Sequence, residues 1–333
     1  MMRRRAAEAW MIAAALVVGS VAGCARSTPV WQGRGGPPRV VVTIPALDNF
    51  VRNVGGDHVG VVCLCTDKGP HHYEYTPEDA LLLRDADLFF AIGLTLDDKF
   101  ADPIQNESHN ARLRYIKLGE RLPKKLLKSS EEHEQGKEEA KHEHEHEHEH
   151  GEHDPHVWLG IPQAVAMVEI IRDELKTVDA AHAEDYDKNA DEYIKKLKKL
   201  HEDGKAKLKD KKNRKLIAFH ESLAYFADSF DLKIVDVIEL APGQEPSPNH
   251  LKNLKAKCEK EDVHIIAVEP QYNQGSAAKV LKDEVKNVDL VEVDPLETAI
   301  AKDLEKDGRA LKNTDWYEKK MLKNLDALSK SLP

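Results

Sequence analysis

Two series of short β-branched runs, each run followed by a segment of helical period, constrain most tightly what this chain can fold into. In the first series, strands are expected at 40–44, 58–65, 87–92 and 113–118, with helices at 46–55, 77–85 and 95–106. In the second, strands are expected at 215–219, 233–239, 263–268 and 289–293, with helices at 222–230, 249–260, 275–286 and about 303–329. Such alternation implies parallel strands, because each helix carries the chain back to the same end of the sheet. Between the series come a helix that starts after Pro162 and runs to about Lys176, and a longer one over 180–208. In the longer one Tyr186, Tyr193, Leu197, Leu200 and Leu208 fall at helical spacings among many Lys and Glu. At ~1.5 Å per residue it is a rod of roughly 43 Å. The expected fold class is therefore α/β: two similar parallel-sheet βα lobes joined by one long rigid helix, with a ligand site in the interlobe cleft.

The chain start reads as an export address. Arg3, Arg4 and Arg5 precede an apolar stretch of about 14 residues, short for a membrane span of roughly 20 and suited to a signal peptide. The stretch ends Val21-Ala22-Gly23-Cys24, which resembles the bacterial lipobox, so Cys24 is the expected lipidation site. The expected organisation is a lipoprotein signal peptide at 1–23 and a flexible, Gly/Pro-rich tether at 24–38. An N-terminal lobe follows at 39–178, a linker helix at 179–209 and a C-terminal lobe at 210–333.

Inside the first lobe, residues 124–153 carry no sustained apolar periodicity and are expected to be a disordered loop. Residues 131–154 contain eleven acids, two lysines and seven histidines, so most of the net charge of −10 sits in one segment. With 49 Lys+Arg against 59 Asp+Glu there is no overall basic field, and nucleic acid is not an expected partner. The 32% of charged residues excludes a multi-span membrane protein. Besides Cys24, the chain has Cys63, Cys65 and Cys258. Cys63 and Cys65 lie two apart in an expected strand, so their side chains run parallel, a poor geometry for bonding each other. Buried free thiols are expected, and a long-range disulfide to Cys258 stays open.

In open parallel sheets ligands bind beyond the carboxyl ends of strands. Those ends carry His71 after strand 58–65, His156 after strand 113–118 and its loop, His220 after strand 215–219, Glu269 after strand 263–268 and Asp294 after strand 289–293. Lobes facing across a cleft can set His71 and His156 against His220 and Asp294. Three imidazoles and one carboxylate suit tetrahedral Zn²⁺. His58, His182, His201 and His264 have no such partner motif and read as surface or hydrogen-bonded residues.

Three stretches carry a family resemblance: His71-His72-Tyr73-Glu74-Tyr75-Thr76-Pro77, Asp154-Pro155-His156-Val157-Trp158-Leu159, and Phe219-His220-Glu221-Ser222-Leu223-Ala224-Tyr225-Phe226. Together with Glu245-Pro246-Ser247-Pro248, Val268-Glu269-Pro270-Gln271 and Val293-Asp294-Pro295-Leu296, the chain resembles the metal-specific solute-binding lipoproteins of ABC importers over about residues 39–328. The resemblance implies His71, His156, His220 and Asp294 as metal ligands, with Glu269 as a possible supporting group behind them. Manganese-type members carry Glu at the third position, so His220 implies the zinc-type branch. Zinc-type members also carry a His-rich loop between the first two ligands. Here it would be His133, His142, His144, His146, His148, His150 and His153, binding metal weakly and exchangeably. The Cys63-Leu64-Cys65-Thr66-Asp67 stretch departs from the family's usual apolar strand and proline-rich turn.

The resulting expectation is an exported, lipid-anchored monomer at the periplasm or cell surface. It would capture Zn²⁺ as transported ligand and deliver it to an ABC permease and its ATPase. A manganese- or iron-binding member of the same family, and a surface adhesin or zinc buffer, share the same site. A secreted zinc hydrolase is the rival from another class, but catalysis wants an open coordination position for water, so no enzyme activity is expected.

Overall fold

The computed structural model describes residues 31, 38–123, 126–129, 151–240, 243–270 and 277–333. The expected signal peptide, Cys24, nearly all of the tether and six of the seven loop histidines, all but His153, lie outside these residues. In the first lobe β1 (Arg39–Val42), α1 (Pro45–Gly55), β2 (Gly60–Cys63), α2 (Pro77–Arg84), β3 (Leu88–Ala91), α3 (Asp98–Glu107) and β4 (Arg114–Lys117) alternate. Two helices follow, α4 (Ile161–Val178) and α5 (Ala183–Leu208). The second lobe repeats the alternation with β5 (Lys215–Ala218), α6 (Ala224–Ser229), β6 (Lys233–Val237), α7 (Pro248–Glu261), β7 (Ile265–Val268), α8 (Ala277–Glu284) and β8 (Asp289–Glu292), and α9 (Trp316–Ser331) closes the chain.

Each lobe holds one four-stranded sheet, ordered β2-β1-β3-β4 and β6-β5-β7-β8, and every pairing is parallel. The two orders are the same topology. Helices cover the sheets, which is why the first-lobe strands read as unbroken apolar runs: Val40, Val41, Val42, Phe89, Phe90 and Ala91 are all fully buried. One apolar core runs from these strands through α4 and α5 into Leu216, Phe226 and Leu325, so the lobes share an interior. A smaller cluster, including Ile217, Leu254 and Ile266, lies in the second lobe.

The long helix forms because Tyr186, Ala190, Tyr193, Leu197, Leu200 and Leu208 make one buried stripe while its Lys and Glu face solvent. It packs along α1, α4 and α9. Its first expected turn, Ala180–His182, is a 3₁₀ turn, so the α-helix proper is ~39 Å long. Gly204 is in the stripe because nothing larger fits: a Cβ there would stand 2.4 Å from Cε1 of Phe230 and 2.8 Å from Cδ1 of Leu325. Gly204→Val should therefore lower stability by about 1–3 kcal/mol through overpacking, read as a shift of the urea midpoint at unchanged slope. An unchanged midpoint would mean that the two side chains move aside freely.

One expected element is corrected. Residues 303–315 are not the start of the last helix; α9 begins at Trp316. The segment instead folds back on itself through a Leu304↔Leu311 bridge, with Glu305 N bonded to Ala310 O and Gly308 at φ +71° in the bend. Its helical look was local. The first lobe outbids the helix by offering backbone and carboxylate partners at Cys63 and Asp48.

Candidate metal centre

Four side chains from four loops converge between the carboxyl ends of the two sheets: His71, His156, His220 and Glu297. His71 follows β2 in a short 3₁₀ turn, Pro70–His72. His156 sits beyond β4, where Asp154 accepts a hydrogen bond from its backbone N at 2.8 Å and faces its ring Nδ1 at 2.8 Å. His220 lies two residues past β5. The register Ala218↔Ala267, continued two residues, sets it beside Glu269, and the Glu269 carboxylate meets its Nδ1. Both rings are thereby turned so that Nε2 faces the common centre.

Glu297 comes three residues after the expected carboxylate. Leu296, buried, takes a left-handed φ of +59°, a conformation that costs an L residue roughly 1–2 kcal/mol and here swings Glu297 into the cluster. Gly69 makes room for it, since a Cβ there would lie 2.9 Å from Glu297 Oε2.

The spacing of the inward atoms is that of a small coordination polyhedron. His71 Nε2 and His156 Nε2 are 3.4 Å apart, and Glu297 Oε1 is 3.4 Å from Nε2 of His156, 3.6 Å from that of His220 and 3.9 Å from that of His71. A tetrahedron with M–N of about 2.0–2.1 Å has edges of ~3.3–3.4 Å. His220 Nε2 and Glu297 Oε1 are buried without a hydrogen-bond partner, the condition expected of groups waiting for a cation.

The electrostatics agree. Burial raises the Glu297 carboxyl, but the close imidazoles of His156, His220 and His71 outweigh it and hold the group well below its ordinary range. For His156 burial lowers the pKa, yet Asp154 and Glu297 push it up to about 9. For His220 burial is likewise overcome by Glu269 and Glu297, to about 10. His71 lacks a supporting carboxylate of that kind, and burial takes it down to about 4. The cluster is built to hold positive charge.

Three of the four expected ligand residues are thus brought together, and Asp294 is not among them. Its Oδ2 pairs with Lys320 Nζ at 2.6 Å and its Oδ1 accepts from Leu296 N at 2.8 Å, so both oxygens are used in shaping the turn that presents Glu297. The sequence did carry a signal, a second carboxylate in Asp294-Pro295-Leu296-Glu297, but strand-end reasoning stops at the first. Glu269 stands behind His220 as expected of a supporting group. His153 pairs through its backbone with Lys128 and is not one of the four clustered residues.

The histidines read as bland have ordinary partners. His58 meets Asp185, and its ring stacks on His182 at 3.9 Å. His201 Nε2 bonds Ser229 O and His264 Nδ1 bonds Asn287 O. Cys63, Cys65 and Cys258 are buried free thiols, and burial raises all three pKa values.

The family model described as zinc-uptake complex component A, periplasmic, matches residues 40–331. The zinc-binding lipoprotein AdcA of Streptococcus pneumoniae is 31% identical over 301 residues, covering 89% of this chain and 56% of that protein. The chain spans about half the length of the curated relatives it first matches. Among solved structures, the Zn(II)-bound ZnuA-like domain of S. pneumoniae AdcA is similar at 27% identity and TM-score 0.68, covering 89% of this chain and 99% of that one. The solute-binding protein FpvC of Pseudomonas aeruginosa, solved with Ni²⁺, is similar at 25% identity and TM-score 0.71, covering 89% and 97%.

Proposed function

The chain belongs to the periplasmic component A family of zinc-uptake complexes, and on that premise we propose that it captures one Zn²⁺ between its lobes and delivers it to a membrane ABC permease driven by an ATPase. The single observation that carries this reading is the convergence of His71, His156, His220 and Glu297 with edge lengths suited to a tetrahedral ion. Four protein donors leave no coordination position for an attacking water, so the site holds and releases cargo and does not catalyse. His71 is the most exposed of the four, its side chain 22% accessible against 8% or less for the others, so the ion enters and leaves past it.

Competition titration of the purified protein tests the reading, with one tight zinc equivalent that manganese does not displace as the expected result. One tight manganese equivalent that zinc fails to displace would refute it.

Residues 131–151 supply weak, exchangeable sites in this proposal. Their deletion should leave the tight equivalent and remove several weak ones, because His71, His156, His220 and Glu297 all lie outside the segment. The weak sites should also fade first as pH falls below ~6.5, where free imidazole takes up a proton. Zinc titrations of both proteins at neutral and mildly acidic pH read this out. Loss of the tight equivalent on deletion would place a ligand in the loop.

Cys24 anchors the exported chain through acyl groups in the same proposal, and among the described residues no helix is long and apolar enough to cross a membrane. Cys24→Ser should move the protein from the membrane to the soluble fraction on cell fractionation. Continued dependence on detergent would exclude the lipid anchor.

A further inference from the structure

Glu297 follows β8 of the second lobe, and Asn324 and Lys320 of α9 hold the turn just before it at Asp294, yet the chain that runs on from Glu297 is held by the first lobe. Ala299 N donates to Thr66 O at 2.7 Å, Cys63 N at the end of β2 donates to Arg309 O at 2.8 Å, and Leu311 N donates to Asp48 Oδ2 at 2.9 Å. Asn49 and Asn53 of α1 both donate to Thr314 O. Residues 296–314 form a strap laid on the first lobe, its hairpin covering the open edge of β2.

Arg309 supplies the strap's side-chain pin. Its Nη1 reaches Asp79 Oδ1 at 3.3 Å and its Nη2 lies 3.5 Å from Glu78. Asp79 is buried and is also the residue that closes the capping box of α2 with Thr76 and accepts from Tyr73 O–H. The turn from His71 to α2 and the strap that carries Glu297 are therefore fastened to one carboxylate.

We propose that Arg309 is a positioning residue for the metal site. By pinning the strap to Asp79 it fixes Glu297 on the first lobe beside His71 and His156. The three form a half-site to which His220 is added from the second lobe. The inference rests on the metal-binding reading above and assigns an order: an ion entering past His71 meets three donors that share one body, and His220 with Glu269 behind it completes the shell. Arg309 touches no metal in this scheme. It acts through Glu297 alone.

That route is tested by a double-mutant cycle on the full chain, with zinc as probe and its dissociation rate read by chelator chase. Arg309→Met should raise the rate about three- to tenfold in the wild-type background and by the same factor in His220→Ala. In Glu297→Ala it should change the rate by less than about twofold, because the residue it positions is gone. Arg309→Lys, which keeps the charge facing Asp79, should restore the wild-type rate to within about twofold, an outcome that loss of folding would not give. An Arg309→Met effect of equal size in the Glu297→Ala background, or none in the wild type, overturns the inference while the wild-type titration still reports zinc binding. A wild-type chain that takes up no zinc overturns both.

Discussion

Glu297→Ala should weaken zinc binding by more than about 100-fold, whereas Asp294→Asn should change it by less than about tenfold. The first substitution removes, among the described residues, the only carboxylate within reach of all three inward imidazole nitrogens, at 3.4, 3.6 and 3.9 Å. It also removes the carboxylate that His156 and His220 share, leaving each of them only its own supporting carboxylate, Asp154 or Glu269. The second leaves Glu297 in place: an amide oxygen can still accept from Leu296 N, and what is lost is the charge opposite Lys320. Isothermal titration with a competing chelator measures both variants. Equal losses would mean that the turn at 294–297 rearranges around the ion and that Asp294 enters its shell.

Trp158→Ala should cost about 3–5 kcal/mol of folding stability, the largest single effect we expect among the buried residues. The indole is fully buried, packs 5.3 Å from the His156 ring, and donates from Nε1 to Pro295 O at 2.8 Å. The backbone O of Trp158 accepts from Tyr317 O–H at 2.7 Å. One side chain thus joins the loop of His156 to the turn that carries Glu297. Trp158→Phe keeps most of the volume but strands Pro295 O, and should cost about 1–3 kcal/mol. Urea unfolding should be followed with zinc removed, since an ion bound only by the folded state adds its own stabilisation. A Trp158→Ala loss under 1 kcal/mol would show that the two loops are held independently.

Much of this protein could be read along the chain because the determining forces are local or periodic. Parallel sheets with both faces covered demand unbroken apolar strands, and a helix between each pair, so Val40 to Val42 and Ile265 to Val268 announce their state. The buried stripe of α5 is a matter of 3.6-residue spacing. His71, His156 and His220 were legible for a related reason: strand ends in such sheets point at the cleft, and imidazoles recur there.

Tertiary structure decided the rest, above all which carboxylate stands with the three imidazoles. Whether Asp294 or Glu297 faces the imidazoles depends on Lys320 and Asn324 of α9 and on a left-handed Leu296, all partners or conformations that no spacing within the turn reveals. Residues 303–315 follow the same logic. Their side-chain pattern is compatible with a helix, and they form a strap only because Cys63, Asp48 and Asp79, more than two hundred residues earlier, present groups that compete for the same backbone and side chains. Local propensity is worth tenths of a kcal/mol per residue, and a set of buried long-range hydrogen bonds outweighs it.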